Sequence, residues 1–120
     1  MHNYRNLKVW QRAMAFTVTV YRESRDWPAE EKYGLTSQFR RAATSIPLNI
    51  AEGAGNSSNK EFVRFLQIAL RSAYEVMTAI DIARGLYFLS DDQADTLLRE
   101  ADEIAAMLVG LMKSVGWKKQ

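Results

Sequence analysis

Apolar residues recur along most of the 120-residue chain at the three- and four-residue spacing of an α-helix, and no stretch alternates apolar and polar residues as a half-buried strand would. Helix-breaking residues divide this pattern at three places: Trp27-Pro28, Gly53-Ala54-Gly55, and Gly85 with Ser90-Asp91-Asp92. We therefore predict four helices, over residues 6–25, 30–53, 58–87 and 91–115. Because short connections join these long helices, the pattern favours an all-α, antiparallel up-down four-helix bundle.

The predicted helix starts differ in how clearly they are marked. Two starts fit the capping box, in which a hydroxyl and a side chain three residues later satisfy free backbone N–H groups: Ser58 with Glu61, and Ser90 with Gln93. The start of the second helix is open, because Pro28 suits a first helical turn whereas Gly34 could restart the helix at Thr36.

The first and third predicted helices carry more apolar surface than one core requires. The fourth has a single apolar stripe and an acidic back, as an outer helix does. The first has apolar residues over about half of its circumference: Leu7, Val9, Trp10, Ala13, Met14, Phe16, Val18, Val20 and Tyr21. The third has apolar residues outside its core stripe: Val63, Ile68, Leu70, Ala79 and Ile82. Since exposed apolar patches mark interfaces, we predict self-association; the alternative is a four-helix core with wide edges.

The second predicted helix contains a proline and separates an apolar face from a polar one. Its apolar face comprises Leu35, Phe39, Ala42, Ala43, Ile46 and Ile50. Its polar stripe, closed by Gly53, comprises Gln38, Arg41, Ser45, Asn49 and Glu52. Pro47 lacks an amide proton and its ring crowds the carbonyl of Ala43, so a bend is predicted there. Gly53 is predicted to end the helix in a left-handed conformation. The polar stripe either recognises a partner or forms a structural network, within the subunit or to the next one.

Five stretches of the chain carry a family motif: Leu7-Lys8-Val9-Trp10-Gln11, Tyr33-Gly34-Leu35, Gln38-x-Arg40-Arg41-Ala42-x-x-Ser45-Ile46, Asn49-Ile50-Ala51-Glu52-Gly53 and Glu61-Phe62-x-x-Phe65-Leu66-x-Ile68-Ala69. The pattern resembles the four-helix-bundle proteins encoded in intervening sequences of bacterial 23S ribosomal RNA genes. The accessory variability proteins of diversity-generating retroelements look like the same fold. The resemblance implies a bundle that assembles into a ring-shaped homopentamer. Because the retroelement relatives partner a reverse transcriptase, it also implies a protein partner as an alternative role.

Composition places the chain among folded proteins and predicts a single domain over residues 1–120. Hydrophobic residues make up 48% and charged residues 25%, which is ordinary for a globular domain. The absence of cysteine excludes disulfides, thiolate metal sites and thiol catalysis, and it fits a reducing cytoplasm. No apolar run approaches the ~20 residues of a membrane span, and the first residues lack a signal-peptide core. We therefore predict a cytoplasmic protein.

The sequence offers no set of residues for catalysis. Di-iron bundles use Glu-x-x-His pairs, whereas this chain has one histidine, His2, and no such pair. Ser57 and Lys60 match Ser-x-x-Lys, but they lie in a capping segment without the partner motifs of that enzyme class. Gly53 and Gly55 follow a helix rather than a strand, which argues against a phosphate-binding loop. We predict no enzymatic activity, no metal and no cofactor.

Charge distribution is the remaining indication of function. The net charge is +2, yet residues 1–26 hold five Lys/Arg against two acids, and residues 88–112 hold one arginine against six acids. Five arginines on the first three helices are candidate nucleic-acid contacts: Arg12, Arg40, Arg41, Arg64 and Arg71. The alternative is ordinary solvation, with Arg71 and Glu75 forming a routine one-turn ion pair. We predict a non-enzymatic homo-oligomer, a pentamer by resemblance, that binds RNA or DNA electrostatically; the alternative is a protein–protein adaptor or scaffold.

Overall fold

A computed structural model describes residues 2–118 of the chain. It contains four α-helices and two short 3-10 turns: α1 Lys8–Glu23, α2 Leu35–Ala54, α3 Asn59–Gly85, α4 Asp91–Ser114, and the turns Tyr4–Asn6 and Ala29–Glu31. None of the residues 2–118 lies in a strand. The structure measures 43 × 23 × 23 Å along its principal axes. The predicted all-α four-helix bundle is confirmed.

Each helix contacts its neighbours in the chain, and α1 closes the bundle by contacting α4. The contact between α2 and α3 is the most extensive, and that between α1 and α4 is the smallest. Because the connections are short, consecutive helices run antiparallel. Among the described residues, no Cα of α1 comes within 8 Å of one in α3, and the same holds for α2 and α4. The most extensive helix contact of the bundle is therefore the one between α2 and α3.

The core combines large side chains from all four helices with alanines at the helix contacts. The largest fully buried side chains include Phe16, Phe39, Phe62, Leu66, Ile80, Leu97, Ile104 and Leu108. Trp27, in the connection between α1 and α2, covers one end of this core, and its ring stacks on Phe39 with a centroid distance of 5.0 Å. Its Nε1–H is buried without a hydrogen-bond acceptor among the described residues. Burial of these side chains is the main favourable contribution to folding.

Two serines cap helices as the sequence predicts, although only one capping box is complete. Ser90 Oγ accepts from the Gln93 amide at 3.1 Å, and Gln93 Oε1 accepts from the Ser90 amide at 2.9 Å. Ser58 Oγ likewise accepts from the Glu61 amide, at 3.3 Å. The Glu61 carboxylate does not return this bond, because it accepts hydrogen bonds from Arg64 instead.

The second helix begins later than the predicted residue 30. Ala29–Glu31 forms a separate 3-10 turn, and α2 begins at Leu35. Gly34 separates the two with φ −112° and ψ −117°, a conformation outside the helical region. The Glu31 carboxylate then accepts from the Leu35 amide at 3.0 Å and caps the new helix. Gly34 therefore interrupts the helix, which restarts one residue before the Thr36 alternative. The bounds of the other three helices lie within about two residues of the prediction.

Pro47 lies inside α2, which continues through it without interruption. Proline has no N–H to donate to the Ala43 carbonyl four residues earlier. The hydroxyl of Thr17 on α1 donates to that carbonyl at 3.2 Å, and it also bonds the Ala13 carbonyl of its own helix at 2.8 Å. Because a hydroxyl has one proton, Thr17 shares it between the two carbonyls, and α1 replaces only in part the bond that proline removes. The bend at Pro47 stays a prediction.

Gly53 serves close packing rather than helix termination, which corrects the left-handed conformation predicted for it. It lies within α2, which ends at Ala54, and Gly116 is the only described glycine with positive φ. A Cβ added at Gly53 would stand 2.7 Å from Phe65 Cβ and 3.0 Å from Phe62 Cδ1. The absence of a side chain here lets α2 and α3 approach each other.

Candidate functional site

A groove runs between α2 and α3 on one side of the bundle. It consists of two adjoining cavities of about 360 and 350 Å³, and Gln38 and Glu75 line both of them. The more apolar cavity is also lined by Leu35, Arg71, Tyr74, Thr78, Ala79 and Ile82. The more polar cavity is also lined by Arg41, Ala42, Ser45 and Ser72. The groove therefore combines apolar, cationic and anionic side chains.

The polar end of the groove carries a small hydrogen-bond network. Ser72 Oγ on α3 donates to Ser45 Oγ on α2 at 2.9 Å. The Asn49 amide donates to the same Ser45 Oγ at 2.9 Å and to the Ser45 carbonyl at 2.8 Å. A hydroxyl has one proton to donate, and one bond joins the two serines. Whichever serine donates in that bond, the other hydroxyl proton has no acceptor among the described residues. With Ser72 as the donor, the spare proton is that of Ser45, which is half-buried and lines the more polar cavity.

Two arginines of the groove have no protein partner among residues 2–118. Arg41 lies on α2 and Arg71 on α3, and both are exposed and line the groove. Neither takes part in an ion pair or a side-chain hydrogen bond within residues 2–118, and Glu75 is likewise unpaired there. The one-turn Arg71–Glu75 ion pair considered from the sequence is therefore absent from the described part of the chain. Both guanidinium groups are available to a ligand.

The other three candidate arginines lie elsewhere and are engaged by the protein. Arg40 donates to Ser24 Oγ at 2.9 Å and to the Tyr21 carbonyl at 3.2 Å, and its guanidinium lies over the Tyr21 ring. It thus satisfies carbonyl and hydroxyl groups at the end of α1. Arg12 pairs with Glu103 across the α1–α4 contact. These contacts give both arginines structural roles.

Arg64 pairs with a neighbour on its own helix. Its guanidinium donates to Glu61 at 3.0 Å and lies over the Phe65 ring. The hydrogen bond to Glu61 and its negative charge raise the pKa of Arg64 above its ordinary value, and the more distant charge of Glu52 acts in the same direction. Arg64 is nevertheless exposed; it lies on the same face of α3 as Arg71, about two turns earlier, and does not line the groove.

The polar stripe predicted on α2 divides into groups with different roles. Gln38, Arg41 and Ser45 line the groove. Asn49 donates to the Ser45 carbonyl and hydroxyl within α2. The side chain of Glu52 is exposed near Arg64, and Gly53 is buried against α3.

An apolar face between α1 and α2 is the second notable surface. Its cavity of about 450 Å³ is lined by Tyr4, Trp10, Met14, Thr17, Tyr21, Thr44, Pro47, Leu48 and Ala51. Met14 is 40% exposed and Leu48 is 61% exposed, so large apolar side chains face outwards. The sequence predicts the α1 part of this α1–α2 face but not Leu48. On α3 the wide apolar surface is smaller than predicted, because Ala79 is buried and Val63 and Leu70 pack against the core.

Sequence reasoning missed two groove residues, Ser72 and Tyr74. Ser72 stands beside Ala73 on the buried side of α3, and a lone polar residue among core alanines was the available signal. Tyr74 is 55% exposed and lies on the same face as Arg71 and Thr78. No sequence pattern distinguished Tyr74 from an ordinary surface aromatic residue.

Fold and site together define a four-helix bundle with a polar groove on one side and an apolar face on another. The chain belongs to the 23S rRNA-intervening sequence protein family, which matches residues 5–110. This confirms the family resemblance of the sequence motifs.

A solved structure shares the fold over most of its length. It is a crystal structure of a protein with unknown function from the S23 ribosomal protein family of Bacteroides thetaiotaomicron, with a TM-score of 0.79. The two sequences are 23% identical over 88% of this chain and 98% of that chain, so the similarity shows the fold alone. No protein with a curated description matches the chain. Within residues 2–118, every helix is too short or too polar to serve as a membrane span.

Proposed function

We propose that this protein is a non-enzymatic, self-associating bundle that binds nucleic acid, RNA or DNA, through the α2–α3 groove. The observation that carries the proposal is the placement of Arg41 and Arg71 on opposite sides of one groove, with no partner among the described residues. Planar guanidinium groups match phosphate oxygens, and such contacts supply most of the affinity of non-specific binding. The absence of cysteine suits a location in the reducing cytoplasm.

Self-association is supported by the apolar α1–α2 face. Met14, Val18, Tyr21 and Leu48 are each at least 40% exposed on α1 and α2, and a monomer gains nothing by presenting them to water. The family resemblance implies five subunits. In a closed ring each subunit presents the same groove, so several weak contacts with one nucleic acid chain combine into a stronger overall affinity. Light scattering of the dilute protein checks this, because a mass near 13.7 kDa would contradict self-association.

Salt-dependent binding tests the nucleic-acid part of the proposal. Labelled RNA and DNA oligonucleotides are titrated with protein at 50 and 200 mM salt, and fluorescence anisotropy reports binding. If about two to four phosphates are neutralised, the affinity for a single strand falls roughly 7- to 50-fold between these salt concentrations. Absence of binding at 50 mM salt would refute the proposal.

A charge-reversal pair locates the site. The double variant Arg41→Glu and Arg71→Glu should reduce affinity at least about tenfold, because each change replaces attraction by repulsion. The matched control is Arg99→Glu with Lys113→Glu on α4, which changes the net charge equally on the helix diagonally opposite α2. Equal losses in both variants would show a diffuse charge effect rather than a site in the groove.

A protein–protein adaptor is the second candidate function, and the apolar α1–α2 face favours it. An exposed face of this kind suits a protein partner as well as a second copy of the chain. A pull-down after nuclease treatment discriminates the two functions. Recovery of one protein in stoichiometric amount would favour the adaptor, whereas loss of all partners with the nucleic acid would favour direct nucleic-acid binding.

A further inference from the structure

We infer that the α2–α3 groove binds one unpaired guanine base of a single-stranded nucleic acid. This inference rests on the proposed function and names the ligand of the same groove. Neither arginine distinguishes one base from another when it binds phosphate, because phosphate contacts carry no sequence information. A base preference comes from an aromatic ring, a carboxylate, the free hydroxyl proton and a contact of Arg71 with the base instead of with phosphate.

The apolar cavity supplies a surface on which a base can stack. Tyr74 is 55% exposed, and Leu35, Ala79 and Ile82 line the same cavity of about 360 Å³. This volume lies within the range of about 300–1,000 Å³ of small-ligand pockets. Proteins that read single strands stack splayed bases on such aromatic rings, whereas the bases of a duplex are already stacked on each other. The groove therefore fits an unpaired base.

Glu75 determines which hydrogen-bonding edge of the base fits the groove. It lies next to Tyr74 in the chain, lines both cavities, and has no ion-pair partner within residues 2–118. An ionised carboxylate only accepts hydrogen bonds, so it requires two adjacent donors for a bidentate contact. Guanine presents such donors side by side, N1–H and the N2 amino group. Adenine, cytosine and uracil each place a donor next to an acceptor on that edge.

The remaining groove donors match the acceptors of guanine. Arg71 lies one turn from Glu75 on α3, and the Ser45–Ser72 pair holds one uncommitted hydroxyl proton. Guanine offers O6 and N7 as acceptors, for which arginine is the commonest partner. Glu75 also argues against a groove specialised for phosphate alone, because its charge would repel the ligand. The acceptor at Glu75 and the donors around it fit one base with both kinds of group.

The test uses four fluorescein-labelled RNA decamers at 50 mM salt: ten uridines, and the same chain with a single central guanosine, adenosine or cytidine. Anisotropy titrations should show the guanosine-containing decamer binding at least about fivefold tighter than the other three. Tyr74→Ala should weaken binding of the guanosine-containing decamer roughly 5- to 100-fold, and Tyr74→Phe should restore it because the ring is kept.

Glu75→Gln is the variant that best separates guanine recognition from general charge attraction, because it should raise the overall affinity and remove the base preference. Removing the negative charge should tighten binding of the all-uridine decamer, while the loss of the second acceptor should abolish the preference for guanosine. The matched control Glu100→Gln on α4 makes the same charge change outside the groove and should keep the preference. Thermal unfolding confirms that each variant is folded.

The outcomes separate the inference from the proposed function. Equal binding of all four decamers, with Glu75→Gln leaving their relative affinities unchanged, overturns the guanine site while salt-dependent binding still supports the proposed function. Binding of none of the RNA decamers overturns the inference, and the proposed function falls with it if DNA oligonucleotides also fail to bind at 50 mM salt. A guanosine preference that persists in Glu75→Gln assigns the selectivity to another surface and overturns the inference.

Discussion

Replacing Gly53 with alanine tests whether the close approach of α2 and α3 depends on a missing side chain. The added Cβ would stand 2.7 Å from Phe65 Cβ, 3.0 Å from Phe62 Cδ1 and 3.3 Å from the Phe62 carbonyl oxygen. Carbon atoms in contact prefer about 3.5–4.0 Å, so the first of these distances is short by roughly 1 Å. The nearest neighbour is a Cβ, which is fixed to its backbone, and the next is the ring edge of Phe62, which is only 1% exposed and confined by the core. The two helices must therefore shift.

The magnitude follows from two opposing effects. Overpacking a tight core costs about 1–3 kcal/mol. Alanine in a helix interior is favoured over glycine by about 0.8–1.0 kcal/mol. The Gly53→Ala variant should therefore be neutral at best and destabilised by up to about 2 kcal/mol. At roughly 2–8 °C per kcal/mol for domains of comparable sizes, a net loss of about 1–2 kcal/mol is measurable as a lowered Tm.

Gly110 offers a matched control on α4. It lies inside that helix, and a Cβ added there would meet nothing within 4 Å in the same subunit. Gly110→Ala should therefore show only the propensity gain, about 1 kcal/mol of stabilisation. The difference in stability between the two variants isolates the steric cost at Gly53, about 1–3 kcal/mol.

Chemical and thermal unfolding followed by circular dichroism measure both variants. Protein concentration is held constant, because self-association raises the apparent stability. A Gly53→Ala variant as stable as Gly110→Ala would refute the steric reasoning. A destabilised Gly110→Ala variant would contradict the open surface described around that residue.

Three further predictions address single interactions. Thr17→Val should destabilise the bundle by about 1–3 kcal/mol, because it leaves the Ala43 carbonyl without its donor. The cost should be smaller in a Pro47→Ala background, where alanine restores the helical N–H. Equal costs in both backgrounds would disprove the idea that Thr17 compensates for the N–H that Pro47 lacks. Arg40→Ala should lower the Tm but leave salt-dependent binding of nucleic acid unchanged, since its guanidinium is held by the end of α1; a selective loss of binding at unchanged Tm would contradict this. Ser90→Ala should cost about 0.5–2 kcal/mol in urea unfolding through loss of the capping box, and an unchanged midpoint would show that the cap is not needed.

The sequence predicts the helices well because their signals are local. The start of α4 at Asp91 follows from Ser90 and Gln93, which lie within three residues of each other. The ambiguity at the start of α2 also lay in neighbouring residues, and the backbone of Gly34 resolved it. The candidate site was harder to predict, because a list of arginines on helix surfaces does not show which of them are engaged by the protein.

Long-range partners decided that question. Arg40 is engaged by Ser24 and Tyr21, sixteen and nineteen residues earlier, and Arg12 by Glu103, ninety-one residues later. Arg41 and Arg71 line adjoining cavities of one groove only because α2 and α3 pack against each other. The role of Gly53 depends in the same way on Phe62 and Phe65 of the facing helix, which a helix-ending motif does not indicate.

The amino-acid sequence by itself determined the number of helices, most of their bounds and the family, because periodicity, caps and breakers act between residues a few positions apart. Only the tertiary structure decided which charged side chains have no partner among the described residues and which side chains share the α2–α3 groove. It also decided that the Ala43 carbonyl, which Pro47 cannot serve, accepts from Thr17. The physical reason is that these partners are brought together by the packing of helices, and packing depends on side chains that are distant along the chain.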